Sequence, residues 1–310
     1  MSSSWKPLHV SIGNFNIDIA LYIDRIPGLD EDVLARSIDV RPGGAATNYA
    51  VAVARYGHHA TLVASVADSP LVRESLDILR ELGVNLHLKH VNAHPGMVVI
   101  LVYSNSARSM ITSPGANAYL TPGEVEQSLL DSASVVHMAT IPPGKALEAA
   151  RRVREALVTY DPGRHARASW SELRSLLEHV DVFFMNRREY KELASKTSIK
   201  EIFDLGVETV VVKLGEKGAV ALTRDGGIYH AYVKPQGEPV DSTGAGDAFD
   251  AFYNASYIDT KSVVEALKHG VSAGALKTLC EGSLLTCWSR DLFNKHLEST
   301  VIREVEEIPE

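Results

Sequence analysis

A chain of 310 residues with 31 basic and 39 acidic side chains carries a formal charge of -8, and 45% of it is hydrophobic and 23% charged. That composition belongs to a globular protein of one or two domains, long enough to bury its core unaided, and it excludes disorder, collagen-like repeats and a disulfide scaffold. The acidic balance removes the usual electrostatic case for a nucleic-acid binder, so phosphate chemistry here needs local devices rather than a global positive field.

Read in chain order, residues 8–12 pattern as a strand and run into the polar stretch 13–18. Residues 19–23 and 33–40 alternate like strands with one exposed face, and the Arg-Pro-Gly-Gly of 41–44 breaks them off. Small and apolar residues recur at helical spacing over 45–56, up to Gly57, a good helix stop. A buried strand at 61–66 and an amphipathic helix at 71–82, closed by Gly83, come next. Strands at 86–91, 97–103 and 107–112 follow them. Beyond residue 120 the rhythm is regular. Apolar runs at 135–138, 156–160, 182–185 and 209–213 are separated by helix-like stretches, the signature of βαβ units and a parallel sheet. Residues 218–222 and 227–233 read as a hairpin, and helices at 245–257 and 262–279 follow. The expected fold is α/β: a doubly wound, mainly parallel sheet flanked by helices over 1–16, 43–85 and 113–310. The strands of 17–42 and 86–112 do not fit that rhythm and form a small inserted layer.

Three features bear on location. Residues 1–7 lack the apolar core and cleavage site of a signal peptide, and the longest apolar run, 97–103, is too short to span a bilayer. Cys280 and Cys287 are the only cysteines. Seven residues apart on a helix they would stand ~10.5 Å apart along its axis, beyond disulfide reach. A soluble protein in a reducing, cytoplasmic setting is expected, with neither nucleic acid nor membrane as partner.

The chemistry concentrates in Asp241-Ser242-Thr243-Gly244-Ala245-Gly246-Asp247-Ala248-Phe249. Two glycines open a helix whose first-turn amides have no partners within the helix and point along the positive end of its dipole. Such a start accepts a phosphate or a developing oxyanion close to the backbone. Asp247, a carboxylate placed in that anion site, is a poor choice for static phosphate binding and a good one for deprotonating an attacking hydroxyl. The plainer reading is a tight turn with Asp247 complementing the helix dipole. No Walker loop exists in the chain, and the motif lacks the third glycine of a dinucleotide fingerprint.

These residues resemble the C-terminal signature of the ribokinase-like (PfkB) carbohydrate kinases. Arg41-Pro42-Gly43-Gly44-Ala45-Ala46-Thr47-Asn48 resembles that family's N-terminal glycine-glycine signature, and Asn16-Ile17-Asp18 its sugar-contacting Asn-x-Asp. Pro114-Gly115-Ala116-Asn117 and Asn186-Arg187-Arg188-Glu189 fall in the expected order. The resemblance implies a doubly wound core with a β-sheet lid, and transfer of the γ-phosphoryl group of ATP to a sugar hydroxyl. It makes Asp247 the general base and the amides of Gly244, Ala245 and Gly246 the anion hole. Asn16, Asp18, Gly43, Gly44 and Asn48 would hold the acceptor. Asn186, Lys213, Gly215, Thr243, Gly244, Gly246, Ala275 and Gly282 would line the nucleotide. Asn186 and Glu189 would position Mg2+ through its waters, although Asn at a helix start with Glu three residues on is also a capping box. Some members bind a monovalent cation near the anion loop; K+ is the candidate, with Asp241 and Thr243 as partial ligands. Arg108 either reaches the acceptor or faces solvent.

Two departures matter, the first for the loop after the 61–66 strand and not for the chemistry, the second for the carry-over of a particular acceptor. Ala67-Asp68-Ser69 and Val72 replace the family's Gly-Asp-Asp and later Gly, and Gly163 in Asp161-Pro162-Gly163-Arg164 replaces an Asn. A nucleoside kinase on the same fold is the alternative. A remote one is a serine hydrolase, because Gly270-Val271-Ser272-Ala273-Gly274 fits a nucleophile elbow with Asp291 and His296 downstream. A lid with one apolar face invites a homodimer through it.

Overall fold

The computed structural model describes residues 6–103 and 108–309. The chain runs β1 (Leu8–Gly13), β2 (Asn16–Ile23), β3 (Ser37–Gly43), α1 (Ala45–Tyr56), β4 (His59–Ala67), α2 (Pro70–Glu81), β5 (Val84–Val91), β6 (Met97–Tyr103) and β7 (Arg108–Ser113). It continues with α3 (Gln127–Ser132), β8 (Val135–Ala139), α4 (Pro143–Ala150), β9 (Leu157–Asp161), α5 (Trp170–Leu177), β10 (Val182–Asn186), α6 (Arg187–Ala194), α7 (Ile199–Asp204) and β11 (Thr209–Lys213). The last part holds β12 (Ala219–Thr223), β13 (Ile228–Tyr232), α8 (Ala245–Thr260), α9 (Val263–Lys277), α10 (Arg290–Ser299) and β14 (Val301–Glu304).

Ten strands form one sheet in the order β14-β13-β12-β11-β10-β9-β8-β1-β4-β5. The run from β11 to β5 is parallel throughout, and β12 to β14 extend it antiparallel. Strands such as β8 and β11 are mostly apolar and buried along nearly their whole length because both faces are covered. On one face Leu130, Ala146, Leu173, Leu193 and Ile202 bring α3 to α7 onto the sheet. On the other, Val53, Leu76, Phe252 and Leu276 bring α1, α2, α8 and α9. Each fully buried Leu or Phe contributes about 1.5–3 kcal/mol, so the two apolar layers hold the sheet between them.

The strand order reverses at β1, which lies between β8 and β4. In an open parallel sheet the crevice beyond the strand C-termini at such a switch point is where ligands bind. Here that crevice is bounded by Gly13, Asn14 and Thr140, and α1 and α8 both start above it.

The lid is a second sheet, β3-β2-β6-β7. Three expectations need correction. The strand at 86–91 belongs to the large sheet, because β5 pairs in parallel with β4 from Ala60↔Val84 to Ala67↔Val91. The lid from the second insertion is therefore β6 and β7 alone; Ala107 lies outside the described residues. Residues 41–43 do not end a strand, since Arg41, Pro42 and Gly43 pair with Asp18, Ile17 and Asn16. Finally, Cys280 and Cys287 are joined in a disulfide with their Cα atoms 5.3 Å apart. The distance estimate assumed a continuous helix, but α9 ends at Lys277 and the chain turns back on itself at Gly282, φ 73°. The inference of a reducing compartment rested on unpaired cysteines and falls with it.

Candidate active site

α1 and α8 meet over the crevice, and both begin on a glycine in a left-handed or otherwise positive-φ conformation. Gly44 has φ 101° and a Cβ there would strike the Asn14 carbonyl, while Gly244 has φ 78° and a Cβ would strike the Ser283 carbonyl. Neither start has a side-chain cap. At α8 the Ala245 amide donates to the Ser242 carbonyl at 3.3 Å, whereas among the described residues the Gly244 and Gly246 amides have no acceptor. Of the three amides expected to form an anion hole, two are therefore free.

Asp247 follows in the first turn of α8, and Asn48 Nδ2 of α1 donates to its Oδ2 at 2.7 Å. Burial pushes the Asp247 carboxyl up to about 6, against the Asn48 hydrogen bond and the Lys213 and Lys277 ammonium groups, which hold it down. Two turns along α8, Asn254 Nδ2 donates to Tyr49 Oη of α1 and Thr159 Oγ1 of β9, both at 3.0 Å, fixing the rotation of α8 over the sheet. A carboxylate with that affinity is mostly ionised at neutral pH and can still take a proton.

Asp18 reaches the same crevice from the lid. Its carboxyl is pushed up to about 7 by burial; the nearby Ser283 hydroxyl offsets part of this, and the Asp247 and Asp241 charges add to it. Gly43, which pairs with Asn16, lies against it, and a Cβ there would overlap the Asp18 carboxylate. Asn16 is buried and its Oδ1 accepts from Asn117 Nδ2 at 2.8 Å, while Asn117 Oδ1 accepts from the Phe15 amide. Asp18 Oδ1, Asn48 Oδ1 and Ser283 Oγ are buried and, among the described residues, none makes a hydrogen bond of ordinary geometry, although the Ser283 hydroxyl stands near enough to act on the Asp18 carboxyl. Buried polar atoms without partners cost about 1–3 kcal/mol each, which a polyhydroxylated ligand would recover.

The nucleotide-side residues are less uniform. Asn186 ends β10 opposite Lys213, and it forms a complete capping box with Glu189: each side chain bonds the other residue's amide, at 3.0 and 2.8 Å. Burial pushes the Glu189 carboxyl up to about 7, and the Asp161 charge adds to it. Gly215 is exposed in the turn after β11 with φ 65°. Ala275 sits in the last turns of α9, and Gly282 in the disulfide loop donates its amide to Asp241 Oδ2 at 3.1 Å. Lys213 departs from its expected place beside the nucleotide. Its ammonium turns inward, 2.6 Å from Asp161 and 2.9 Å from both Asp250 oxygens. Burial opposes that charge, but the two carboxylates more than offset it and hold the lysine above its ordinary value.

Arg108 is exposed, yet its guanidinium is not left to solvent alone. From β7 it bridges to Asp241 at 3.1 Å and to Thr243 Oγ1, so the lid is tied to the anion loop. Arg41 likewise donates to the Glu281 carbonyl at 3.1 Å. Sequence reasoning passed over Arg41, Ser283 and Lys277. The only available signal was a lysine ending the otherwise apolar run 270–276. The hydrolase reading is overturned. Ser272 lies mid-helix in α9, bonded to the Lys268 carbonyl and Thr300 at 2.7 Å, and the two His296 ring nitrogens pair with the Leu292 carbonyl and the Gln236 amide. The nucleophile elbow needs a strand before its serine, and none is there.

An anion cradle at a helix start, a carboxylate within it and a lid over buried polar atoms lacking ordinary hydrogen bonds define a small-molecule kinase that works without a Walker lysine. The chain belongs to the pfkB family of carbohydrate kinases, whose profile matches residues 6–289. It is a phosphotransferase that moves a phosphoryl group from ATP to a hydroxyl of a sugar or sugar-like acceptor. It is 32% identical over 283 residues to the ATP-dependent ribose-1-phosphate kinase of Halopiger xanaduensis, covering 88% of this chain and 93% of that one. It is 26% identical over 257 residues to the nucleoside kinase of Methanothermobacter thermautotrophicus, covering 80% and 82%. The solved structure of Arabidopsis thaliana ribokinase with ribose and ATP superposes with a TM-score of 0.81 at 25% identity, over 94% of this chain and 99% of that one.

Proposed function

We propose that the acceptor is a ribose-based compound, with ribose-1-phosphate the first candidate, and that Asp247 removes the proton from its attacking hydroxyl. The observation that carries the reading is the trio of buried atoms lacking ordinary hydrogen bonds, Asp18 Oδ1, Asn48 Oδ1 and Ser283 Oγ, around the crevice that Asp247 enters. The acceptor's ring hydroxyls satisfy Asp18, Asn48 and Asn16, with Gly43 and Gly44 keeping the floor free of side chains. The free Gly244 and Gly246 amides stabilise the charge on the phosphoryl group in transit. The lid face that carries Asp18 also carries Arg41 and Arg108, two cations suited to a phosphorylated acceptor. Tyr22, Val98 and Ile100 lie on that face too and would suit a nucleoside base, the second reading.

Mg2+ fits Asn186 and Glu189. The Glu189 carboxyl is held in a buried, electronegative setting that a cation would relieve, and it sits in the first turn of α6, directly after the β10 end that Asn186 occupies. When bound, the ion neutralises phosphate charge. Nucleotide contacts fall to Asn186, Thr243, Gly215, Ala275 and Gly282.

The opposite lid face carries Ile19, Leu21, Ile38, Val40, Val99, Leu101 and Ile111, with Ile38 and Ile111 more than 60% exposed. An apolar face that broad is covered in a lid-to-lid homodimer. Light scattering over a range of concentrations tests it, and a monomer throughout would remove the dimer.

ADP release from ATP over ribose, ribose-1-phosphate, other pentoses, hexoses and nucleosides tests the acceptor. Ribose-1-phosphate is expected to give the highest kcat/KM. A hexose preferred over every ribose-based compound would overturn the reading.

A further inference from the structure

Behind the anion loop lies a buried ammonium whose only part so far is to help hold the Asp247 carboxyl down. Lys277 is the last residue of α9 and none of it is exposed. Its Nζ donates to two backbone carbonyls, Asp241 and Cys280, each at 3.3 Å. Burial pulls it down to about 8, while the Asp241 and Asp247 charges hold it up and Arg108 and Arg41 work against it. The segment it holds is strapped down on every side. The Val240 and Asp241 amides donate to the Thr278 carbonyl, and the Asp241 carboxylate accepts from the Thr243 amide and hydroxyl, Gly282 and Arg108.

This arrangement occupies the two residues expected to hold K+. Asp241 Oδ1 accepts three hydrogen bonds and Oδ2 one, Thr243 Oγ1 is taken by Asp241 and Arg108, and the Asp241 carbonyl is occupied by Lys277. The expected site does not fit the ion. We infer that Lys277 is a built-in replacement for a monovalent cation: its ammonium, cradled by the Asp241 and Cys280 carbonyls, holds the anion loop in shape and makes the enzyme independent of K+. Backbone carbonyls that strip water from a compact cation serve K+ and an ammonium alike. A buried charge of this kind is retained only when carbonyl dipoles or counter-charges repay its desolvation. Lys277 is a positioning residue, because its ammonium holds backbone carbonyls of the loop.

The inference rests on the 244–246 segment being the phosphoryl cradle, and its test separates the two ideas. Dialysed wild-type enzyme should turn over equally in potassium, sodium and choline chloride at one ionic strength. Lys277→Ala opens the carbonyl cradle. In choline chloride its kcat should fall about tenfold or more, and about 100 mM K+ or NH4+ should restore much of it while Li+ does not. The same salts should raise the melting temperature of Lys277→Ala and leave that of wild type unchanged, a readout needing no acceptor. Lys277→Met, which fills the cradle with an apolar chain, should stay slow in every salt. Wild type activated severalfold by K+ over choline would overturn the inference. So would a folded Lys277→Ala with neither K+-specific rescue nor K+-specific stabilisation, which would leave Lys277 as a complement to the end of α9. Should that variant not fold, the wild-type salt series still decides. If no acceptor is phosphorylated by any form, the kinase reading fails, while the thermal shift still reports on the cradle.

Discussion

α6 and α8 both carry an acid in their first turn, and the two starts do opposite things with it. At α6 the acid closes the helix on itself: Asn186 and Glu189 satisfy each other's amides reciprocally, as Ser169 with Glu172 and Ser198 with Glu201 do at α5 and α7. At α8 the cap position is Gly244, no side chain bonds the first turn, and Asp247 is held instead by Asn48 of the facing helix. A capped start contributes stability; an open start keeps amides available for something else to bind. The same kind of acid caps its own helix in one place and is left uncapped, facing the other helix, in the other.

The sharpest way to break that contrast is Asp247→Asn. It keeps the helix start and removes the base, so kcat on the best acceptor should fall ~10²–10⁴-fold with the melting temperature nearly unchanged. Near-normal turnover would falsify the assignment. Gly244→Ala attacks the opening itself, forcing a Cβ into the Ser283 carbonyl at a φ of 78°; turnover should drop about 10²-fold, alongside a loss of stability visible in urea. Asn48→Ala acts on the base from α1. The Asn48 hydrogen bond holds the Asp247 carboxyl down, so without it the acid limb of the kcat/KM profile, expected near pH 6 in wild type, should move to higher pH. A limb that stays put or moves down would detach Asn48 from the base.

Two smaller effects probe the supports. Reducing Cys280–Cys287 frees the short loop that presses on Gly244, and in the chain-entropy account this costs about 2 kcal/mol of stability, readable as a lowered melting temperature under dithiothreitol. Ser198→Ala at the closed start of α7 should cost about 1 kcal/mol in urea unfolding and leave kcat untouched. If Ser198→Ala impaired turnover as severely as Gly244→Ala, the division between closed and open starts would not hold.

Much of this was legible in the chain. The βαβ rhythm beyond residue 120 gave β8 to β11 nearly to the residue, since strands covered on both faces are uniform apolar runs. The glycine pairs at 43–44 and 244–246 marked both helix starts, since positive φ and close approach leave few other residue types workable. The errors have one cause. Strand 86–91 reads alike in a lid or a sheet edge, and only its pairing with β4 places it. Cys280 and Cys287 cannot pair along a helix and pair readily across a turn. Lys213 at a strand end looks like a nucleotide-side residue or a solvated charge until Asp161 and Asp250, far apart in sequence, close around it.

Charge illustrates the division best. The excess of eight negative charges established that positive potential near a phosphate had to be local, and the glycine-opened helix start showed one source of it. Local pattern carries that much because backbone geometry and helix dipoles depend on neighbours in sequence. Which lysines supply the rest was decided by the tertiary structure alone. Lys213 met two carboxylates and became a buried strut, while Lys277 met two carbonyls behind the anion loop. What surrounds a buried charge comes from segments distant in the chain, and those surroundings determine what the charge can do.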